Sequence, residues 1–570
     1  MGAVILSGLM LAMTFTANIG TIQSASAASA GDRVTDFNGD GFEDLAIGVY
    51  REDIGTNNAL TDAGSVNVIH GSEIGLSALI DSGSGTGLAN QEWTQSTPGV
   101  LSVAKDGERF GQSVAAGDFD NDGYSDMVVG VPSEEVAGLC CNVGGINVIY
   151  GSSGGLSTTA SVTNQVINQN SPNVQGVAKA DDDFGQSVTV GDFNNDGYDD
   201  VAVGAPGEPV TTNSGTFDNA GVVNVIYGSS QGLSATVVSG TGLADQIWSQ
   251  NTKDIEGIPS QDDFFGFALA SGDFNDDSYD DLAIGMRGEG ATSQFLGPGA
   301  VSIIYGSPTG LSATFVADQL IQEGKDGVDG VKGTVDDFGY SLASGDFDND
   351  GYDDLIIGNP QERGHNGGVN IIYGTASGLS ATARDDQFFS GEDTSGPNDL
   401  EGEGAGRLGS SLAAGDFNSD GYADVAIGSP DAGAPLPGTF GEADEGVVNV
   451  IYGSPSGLSL TFVPDQFWHQ NSPNIQETAS EADNFGYAVT SGDYNGDSYE
   501  DLAIGVIMED VNHDTIDRAG LVQIIYGSSD GLSATGANDG SGRSDQVWFQ
   551  NSPDIKGVSE VDDFFGSALG

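Results

Sequence analysis

Asp346-Phe-Asp348-Asn-Asp350-Gly-Tyr352-Asp-Asp354-Leu-Ile-Ile-Gly358 sets carboxylates at positions 1, 3, 5 and 9 of a tight loop and follows them with a short apolar run. Alternate residues of such a loop aim their oxygens at one point, and the glycine at position 6 permits the sharp bend. The apolar run reads as a β-strand. The stretch therefore predicts a calcium site feeding a strand. It recurs seven times, beginning at Asp36, Asp118, Asp192, Asp273, Asp346, Asp416 and Asp493, a period of 70 to 82 residues.

The expected ligands are the side chains at positions 1, 3, 5 and 9 and the backbone carbonyl at position 7. In chain order the sets are Asp36, Asn38, Asp40, Phe42 and Asp44; Asp118, Asp120, Asp122, Tyr124 and Asp126; Asp192, Asn194, Asp196, Tyr198 and Asp200; and Asp273, Asn275, Asp277, Tyr279 and Asp281. The remaining three are Asp346, Asp348, Asp350, Tyr352 and Asp354; Asp416, Asn418, Asp420, Tyr422 and Asp424; and Asp493, Asn495, Asp497, Tyr499 and Asp501. All-oxygen ligation suits a hard ion, and a flexible loop favours Ca²⁺ over Mg²⁺. An EF-hand would need Glu at position 12, where these loops have Ile47, Val129, Val203, Ile284, Ile357, Ile427 and Ile504. Ser278 and Ser498 replace the usual glycine, so weaker sites are expected there. The metal-free alternative is a row of Asx-turns, but turns do not require carboxylates at four fixed offsets. Clustered carboxylates without an ion repel one another, so calcium is expected to stabilise the fold.

Each loop belongs to a longer unit. In the third, 183–191 leads in with alternating apolar residues, 200–204 leads out, and a variable segment reaches Gly221-Val-Val-Asn-Val-Ile-Tyr-Gly228. Gln246-Ile-Trp248 follows before the cycle restarts at Asp263-Phe-Phe-Gly266. That is four short strands per repeat, without helical periodicity. Such units cannot bury their faces alone, and radial stacking into a seven-bladed, all-β propeller is the economical solution.

The first repeat lacks the Phe-Gly lead-in, and the chain ends on that piece, Asp563-Phe-Phe-Gly-Ser-Ala-Leu-Gly570. Pairing of the N- and C-terminal strands is expected to close the ring and remove an exposed edge; a truncated eighth repeat is the alternative.

The pattern Phe-Gly, then Gly-Asp-Phe-Asn-x-Asp-Gly-Tyr-x-Asp, then Gly-x-Pro resembles the FG-GAP repeat of the integrin α-subunit head over essentially all of 31–570. The resemblance implies metal loops joining the first and second strands of each blade on the lower face, and variable segments on the upper face. Departures are Leu408-Gly409 for Phe-Gly, and Met286-Arg287 and Val506-Ile507 for the x-Pro step. These touch packing and turn residues and are expected to leave the fold intact. In the integrin head only some blades carry metal, whereas all seven loops here have a complete ligand set.

The formal charge of −69, from 84 acidic and 15 basic residues, argues against nucleic acid or an anionic membrane as partner. Twenty-three aspartates occupy the loop positions, and seven Ca²⁺ would bring the net charge only to about −55, so an acidic surface remains. Residues 1–30 carry no charge, are apolar over 4–13 and end in small residues, resembling a secretory signal peptide without its basic n-region. A disordered tail or a misplaced start is the alternative. The seven-bladed domain is expected over 31–570, secreted or at the cell surface, with no membrane insertion of the mature chain. The adjacent Cys140 and Cys141 offer no disulfide framework.

Catalytic signals are weak. Gly-x-Ser-x-Gly at 151–155, 228–232 and 527–531 lies where other repeats place Glu73, Pro308, Ala376 or Pro455, which is turn chemistry rather than a nucleophile elbow. His70, His365, His469 and His513 pair with no nucleophile by sequence, His70 standing where other repeats have Tyr. Trp93, Trp248, Trp468 and Trp548 share one repeat position with Phe389 and Ile167, which suits packing between blades better than a carbohydrate platform. Binding is expected on the segments that follow the second strands, with Tyr50, Arg51, Arg287, Phe295, Arg363 and Phe440 as first candidates. The sequence reads as an exported, calcium-stabilised binding or adhesion module for an extracellular protein or glycan. A secreted carbohydrate or phosphoester hydrolase and a lectin with repeated sugar sites are the alternatives.

Overall fold

The computed structural model describes residues 35–55, 59–78, 88–136, 138–139, 141–236, 244–291, 297–330, 332–391, 400, 406–433, 444–480, 482–511, 516–535 and 544–570. The expected signal peptide, Cys140, Phe295, Phe440 and His513 lie outside them, as do the side chains of Arg363 and His365.

Alternation in the lead-in and β-branched residues in the lead-out give antiparallel strands joined by the acidic loop. In the third blade Ser187–Gly191 pairs with Asp200–Ala205, which pairs with Val222–Ile226 and then Gln246–Trp248. The register puts Gly191 opposite Asp200 across the loop and Val203 between Val188 and Asn224. Seven such four-stranded sheets make a seven-bladed β-propeller. Among the described residues, additions to this plan include a hairpin, Val210–Thr212 with Gly215–Phe217, and one helical turn, Glu362–His365.

The hydrophobic core lies between blades rather than within them. Trp248, Tyr227 and Val225 of the third blade pack with Leu269, Ile284 and Ile304 of the fourth, and Ile69 and Leu45 of the first pack with Ile524 and Tyr526 of the seventh. Each fully buried aliphatic chain contributes roughly 1.5–3 kcal/mol, realised only when the neighbour is present. This is why a single repeat cannot stand alone. The repeated Trp, Phe389 and Ile167 positions join these inter-blade clusters, as the packing reading expected.

Two glycines explain the Phe-Gly and Ile-Gly signatures. Gly204, next to last in its second strand, lies against the carbonyl of Gly266 in the next blade, where a Cβ would lie 2.1 Å from that oxygen. Gly266 itself has a φ of 87°, in the left-handed region. Close approach of neighbouring blades near the axis therefore needs both. Leu408 substitutes for Phe without loss, being 3% exposed and bridged to Gly367. The strands Asp281–Met286 and Asp501–Val506 run to full length despite the missing proline step.

The ring closes through the chain ends. Ala568–Leu569 pairs with Leu45–Val49, with Leu569 opposite Ile47 and Ala568 opposite Gly48, supplying the innermost strand of the first blade. Ala46 and Gly570 exchange both backbone hydrogen bonds, at 2.8 and 3.1 Å.

Candidate metal centres and the opposite rim

The loop of the third blade shows how the acidic pattern folds. Asp192 turns inward, its Oδ1 accepting the N–H of Asp196 at 3.1 Å and its Oδ2 that of Gly197 at 2.9 Å. Asp196 Oδ1 accepts the N–H of Tyr198 at 3.2 Å. Asp200 Oδ2 accepts from Phe193 N–H at 3.1 Å and from Asn194 Nδ2 at 3.2 Å, and its Oδ1 accepts from Gly228 N–H at 2.8 Å. The carboxylates are thus fixed by local backbone N–H groups and by the Asn194 amide.

Positions 4 and 6 both lie in the left-handed region: Asn195 has φ 50° and Gly197 φ 86°. The sequence reading weighed only position 6. Ser278 and Ser498 adopt φ of 70° and 71° and still donate to Asp273 and Asp493 at 2.7 and 2.8 Å. The bend is therefore retained in both loops at a backbone cost of about 1 kcal/mol.

The position-9 aspartates are buried at the strand starts, and burial pushes their carboxyls up: Asp126 to about 9, with Asp200, Asp281, Asp354, Asp424 and Asp501 shifted in the same direction. Asp120 is raised to about 6, by burial and then by the neighbouring Asp122 charge. An ion at the loop centre would reverse this balance by favouring the charged forms. Carboxylate oxygens of Asp118, Asp120 and Asp122 lie within 4.8 Å of one another, as do those of Asp346, Asp348 and Asp354. In the five loops with Asn at position 3, that amide replaces one acid. The donor set is all oxygen and fits a hard divalent cation.

Three neighbours of the loops escaped the sequence reading. Ser161 donates to Asp120 at 3.2 Å and Asp122 at 2.9 Å. At the same repeat position in the fifth blade, Arg384 pairs with Asp348 and stacks 3.9 Å from the Tyr373 ring centroid. His70 takes a tyrosine's place, but its Nδ1 lies 2.9 Å from Asp44 Oδ2, so it belongs to the first loop's surroundings as well as to the packing. The signal for the first two is a polar residue five positions after the Gly-Leu step, where the fourth and sixth blades have Val316 and Val463.

The loops are also tied to one another. The position-1 carbonyl of each accepts the position-8 N–H of the next blade: Ser125 to Asp36, Asp199 to Asp118, Asp280 to Asp192, Asp353 to Asp273, Ala423 to Asp346, Glu500 to Asp416, and Glu43 back to Asp493. These seven hydrogen bonds, 3.0 to 3.3 Å long, form a closed circuit on the lower rim.

At the opposite rim, Tyr50 and Arg51 follow the second strand of the first blade, and Arg287 follows that of the fourth. Arg51 stacks on Phe564 at 4.7 Å, and Arg287 stacks on Phe267 at 4.7 Å and Tyr340 at 5.3 Å. Arg109 reaches the Tyr50 ring and Arg407 the Tyr340 ring, both at 5.9 Å. Tyr487 lies within the electrostatic reach of Tyr50, Tyr340, Arg51 and Arg407. Phe267, Phe564, Tyr340 and Tyr487 come from or flank the Phe-Gly lead-ins, which sequence reasoning treated only as strand signals.

The same rim carries buried acids at the blade junctions. A glutamine after five of the seven fourth strands donates to a glutamate of the next blade: Gln95 to Glu134, Gln169 to Glu208, Gln250 to Glu289, Gln470 to Glu509 and Gln550 to Glu52. Burial raises Glu52 and Glu509 to about 9 and Glu134 to about 7. Nearby Asp182, Asp263, Asp483 and Asp563 rise to about 7, again chiefly by burial.

The Gly-x-Ser-x-Gly serines sit in turns. Ser152 Oγ donates to Gly155 O at 2.7 Å, and Ser153 and Gly155 form a parallel bridge. His469 Nδ1 accepts the Asn471 N–H at 3.1 Å, a local turn contact.

The FG-GAP repeat family matches the chain at residues 33–69, 110–139, 184–223, 265–304, 338–373, 408–449 and 485–525, one match per blade. Integrin alpha-5 of Xenopus laevis is 29% identical over 251 residues, covering 43% of this chain and 20% of that protein. Phosphatidylinositol-glycan-specific phospholipase D of Bos taurus is 35% identical over 173 residues, covering 29% of this chain and 18% of that protein. The matches thus span about a fifth of the length of these relatives. A rhamnogalacturonan lyase of Bacillus licheniformis covers 90% of this chain and 91% of its own at 12% identity and a TM-score of 0.31, a likeness that carries no argument. Among the described residues no helix is long and apolar enough to cross a membrane.

Proposed function

The chain is an FG-GAP repeat protein with an integrin-α-like seven-bladed propeller, and on that footing we propose that it is an exported binding or adhesion module held together by a calcium ion in every blade. The observation that carries this reading is the lower rim. Seven loops place oxygen donors at the same four positions, and a circuit of N–H to carbonyl bonds joins every loop to the next. The ligands would be the position 1, 3, 5 and 9 side chains and the position-7 carbonyl, as in Asp192, Asn194, Asp196, Tyr198 and Asp200. When bound, the cation supplies the positive charge that the buried carboxylates lack. The chain's own part is to fix those carboxylates with N–H donors, so that ion binding orders the first two strands and the circuit together.

The partner is placed on the opposite rim, where arginines stack on aromatic rings in a chain of formal charge −69. A guanidinium on an aromatic face suits an acidic group on an extracellular protein or glycan. Export is supported by the apolar, uncharged residues 1–30. The test is thermal unfolding in millimolar calcium and in chelator. The proposal expects the melting temperature to drop by roughly 15–20 °C on chelation, for seven sites each contributing about 2.7 kcal/mol when calcium is a hundredfold above Kd. An unchanged melting temperature would refute structural calcium.

A further inference from the structure

Two of the seven upper-rim junctions lack the glutamine–glutamate pair: the fifth-to-sixth, where Gly391 and Ala432 hold the two positions, and the fourth-to-fifth, which keeps the acid. Five junctions pair a glutamine with a glutamate 39 residues later, counting the seventh-to-first pair Gln550–Glu52 as the same contact across the closure. At the fourth-to-fifth junction the glutamine position holds Glu323, facing Glu362 at that same spacing. The amide donor has become a second carboxylate. Asp336, the equivalent of Asp182 and Asp263, completes the group, with oxygens of all three residues within 4.8 Å of one another. They are 3%, 5% and 1% exposed for Glu323, Asp336 and Glu362.

A second substitution points at the same spot. The residue after the second-strand glycine is Val49, Val131, Ala205, Met286 or Val506 in five blades and Ser429 in the sixth, but Asn359 in the fifth. Asn359 is 0% exposed, and its amide Nδ2 lies 2.9 Å from Glu323 Oε1. Its Oδ1 and the Glu323 Oε2 are buried without hydrogen-bond partners. Amide oxygen and nitrogen exchange places by rotation about χ2, so Asn359 can turn an oxygen to the group. At the first two such junctions a lysine neutralises the acids, Lys105 to Glu108 at 2.6 Å and Lys179 to Glu208 at 2.8 Å. Here the Lys332 charge acts on Asp336, leaving an excess of negative charge.

We propose that Glu323, Asp336, Glu362 and Asn359 form an eighth cation site, on the rim opposite the loops, for a hard divalent cation such as Ca²⁺. Four oxygen donors and no nitrogen or sulfur define the class. A divalent ion together with Lys332 balances three carboxylates. Buried acids that lack a cation must instead share protons, which the same geometry allows because Asp336 contacts both glutamates.

Glu323→Gln tests this without threatening the fold, because it installs the side chain found at five of the six other junctions. Native mass spectrometry of the full chain in calcium is expected to find one ion fewer in Glu323→Gln than in the unsubstituted protein. In chelator the variant is expected to melt at the same or a higher temperature, since a repulsion has been replaced by a hydrogen bond. Equal ion numbers in the two proteins would overturn the proposal and leave a proton-sharing cluster. The inference does not depend on the loops: if they bind nothing, the unsubstituted protein still carries one ion and the variant none.

Discussion

The two rims of this propeller follow different rules. On the lower rim every blade repeats one loop, with the same inward carboxylates and a circuit of seven inter-blade hydrogen bonds. On the upper rim the repeated part is a buried glutamine–glutamate contact, and the exceptions carry the chemistry: Glu323 and Asn359 at one junction, and arginines stacked on aromatic rings near the lead-ins. Uniformity marks what holds the ring, and departure from it marks what a particular blade has acquired. Arg384 extends the lesson to the lower rim. The second and fifth loops hold the same four aspartates, but one is met by a serine hydroxyl and the other by a guanidinium, so identical ligand sets do not have identical surroundings.

Within one loop the comparison can be broken by removing different acids. Asp200→Ala takes away a predicted ligand and the acceptor for the N–H groups of Phe193 and Gly228. It is expected to cost about 3 kcal/mol or more in chelator as well as in calcium, because two buried donors are orphaned. Asp196→Ala removes a half-buried ligand and one local turn bond. It should cost about 2–3 kcal/mol in calcium and little in chelator. Denaturant melts of both variants under both conditions check this; equal losses in chelator would show that position 9 has no structural part beyond the ion.

The upper rim predicts the pH dependence. Glu52 and Glu509, raised to about 9, and Asp263 and Asp563, raised to about 7, hold their protons in the folded chain at pH values where the unfolded chain has lost them. The folded state therefore binds more protons between about pH 4 and 9, and stability falls as pH rises through that window. Chelated protein is expected to melt at a lower temperature at pH 8.5 than at pH 5.5. The gain on adding calcium should be larger at the higher pH, where fewer protons must leave the loop carboxylates for the ion to bind. A chelated protein that becomes more stable with rising pH would contradict the raised junction acids.

Much of the lower rim was legible because the acidic residues of each loop recur at fixed local offsets. The seven repeats, the four strands of each and the closing role of 563–570 followed from spacing and from one missing lead-in. What spacing cannot carry is contact between blades. The Ser125 to Asp36 bond and its six counterparts join residues 70 or more apart, and nothing in the local offsets shows that the position-8 side chains of Asp199, Asp280 and Asp353 also accept the position-1 N–H of the preceding blade. Gly204 read as a strand end, whereas its role is the close approach to Gly266. The Glu323 group was missed for a related reason: Asp336, Glu362 and Asn359 become one cluster only when two blades meet. A comparison of equivalent positions would have flagged the glutamine that became a glutamate.

The central claim is that calcium in the loops, and not the strand pairing alone, holds the ring together. Counting bound calcium per chain by equilibrium dialysis at saturating concentration tests it most directly. The account predicts one ion for each of the seven loops, plus the junction ion absent from Glu323→Gln, and the loss of one more ion in Asp196→Ala. A chain that binds no calcium, or a count that Asp196→Ala leaves unchanged, would contradict it.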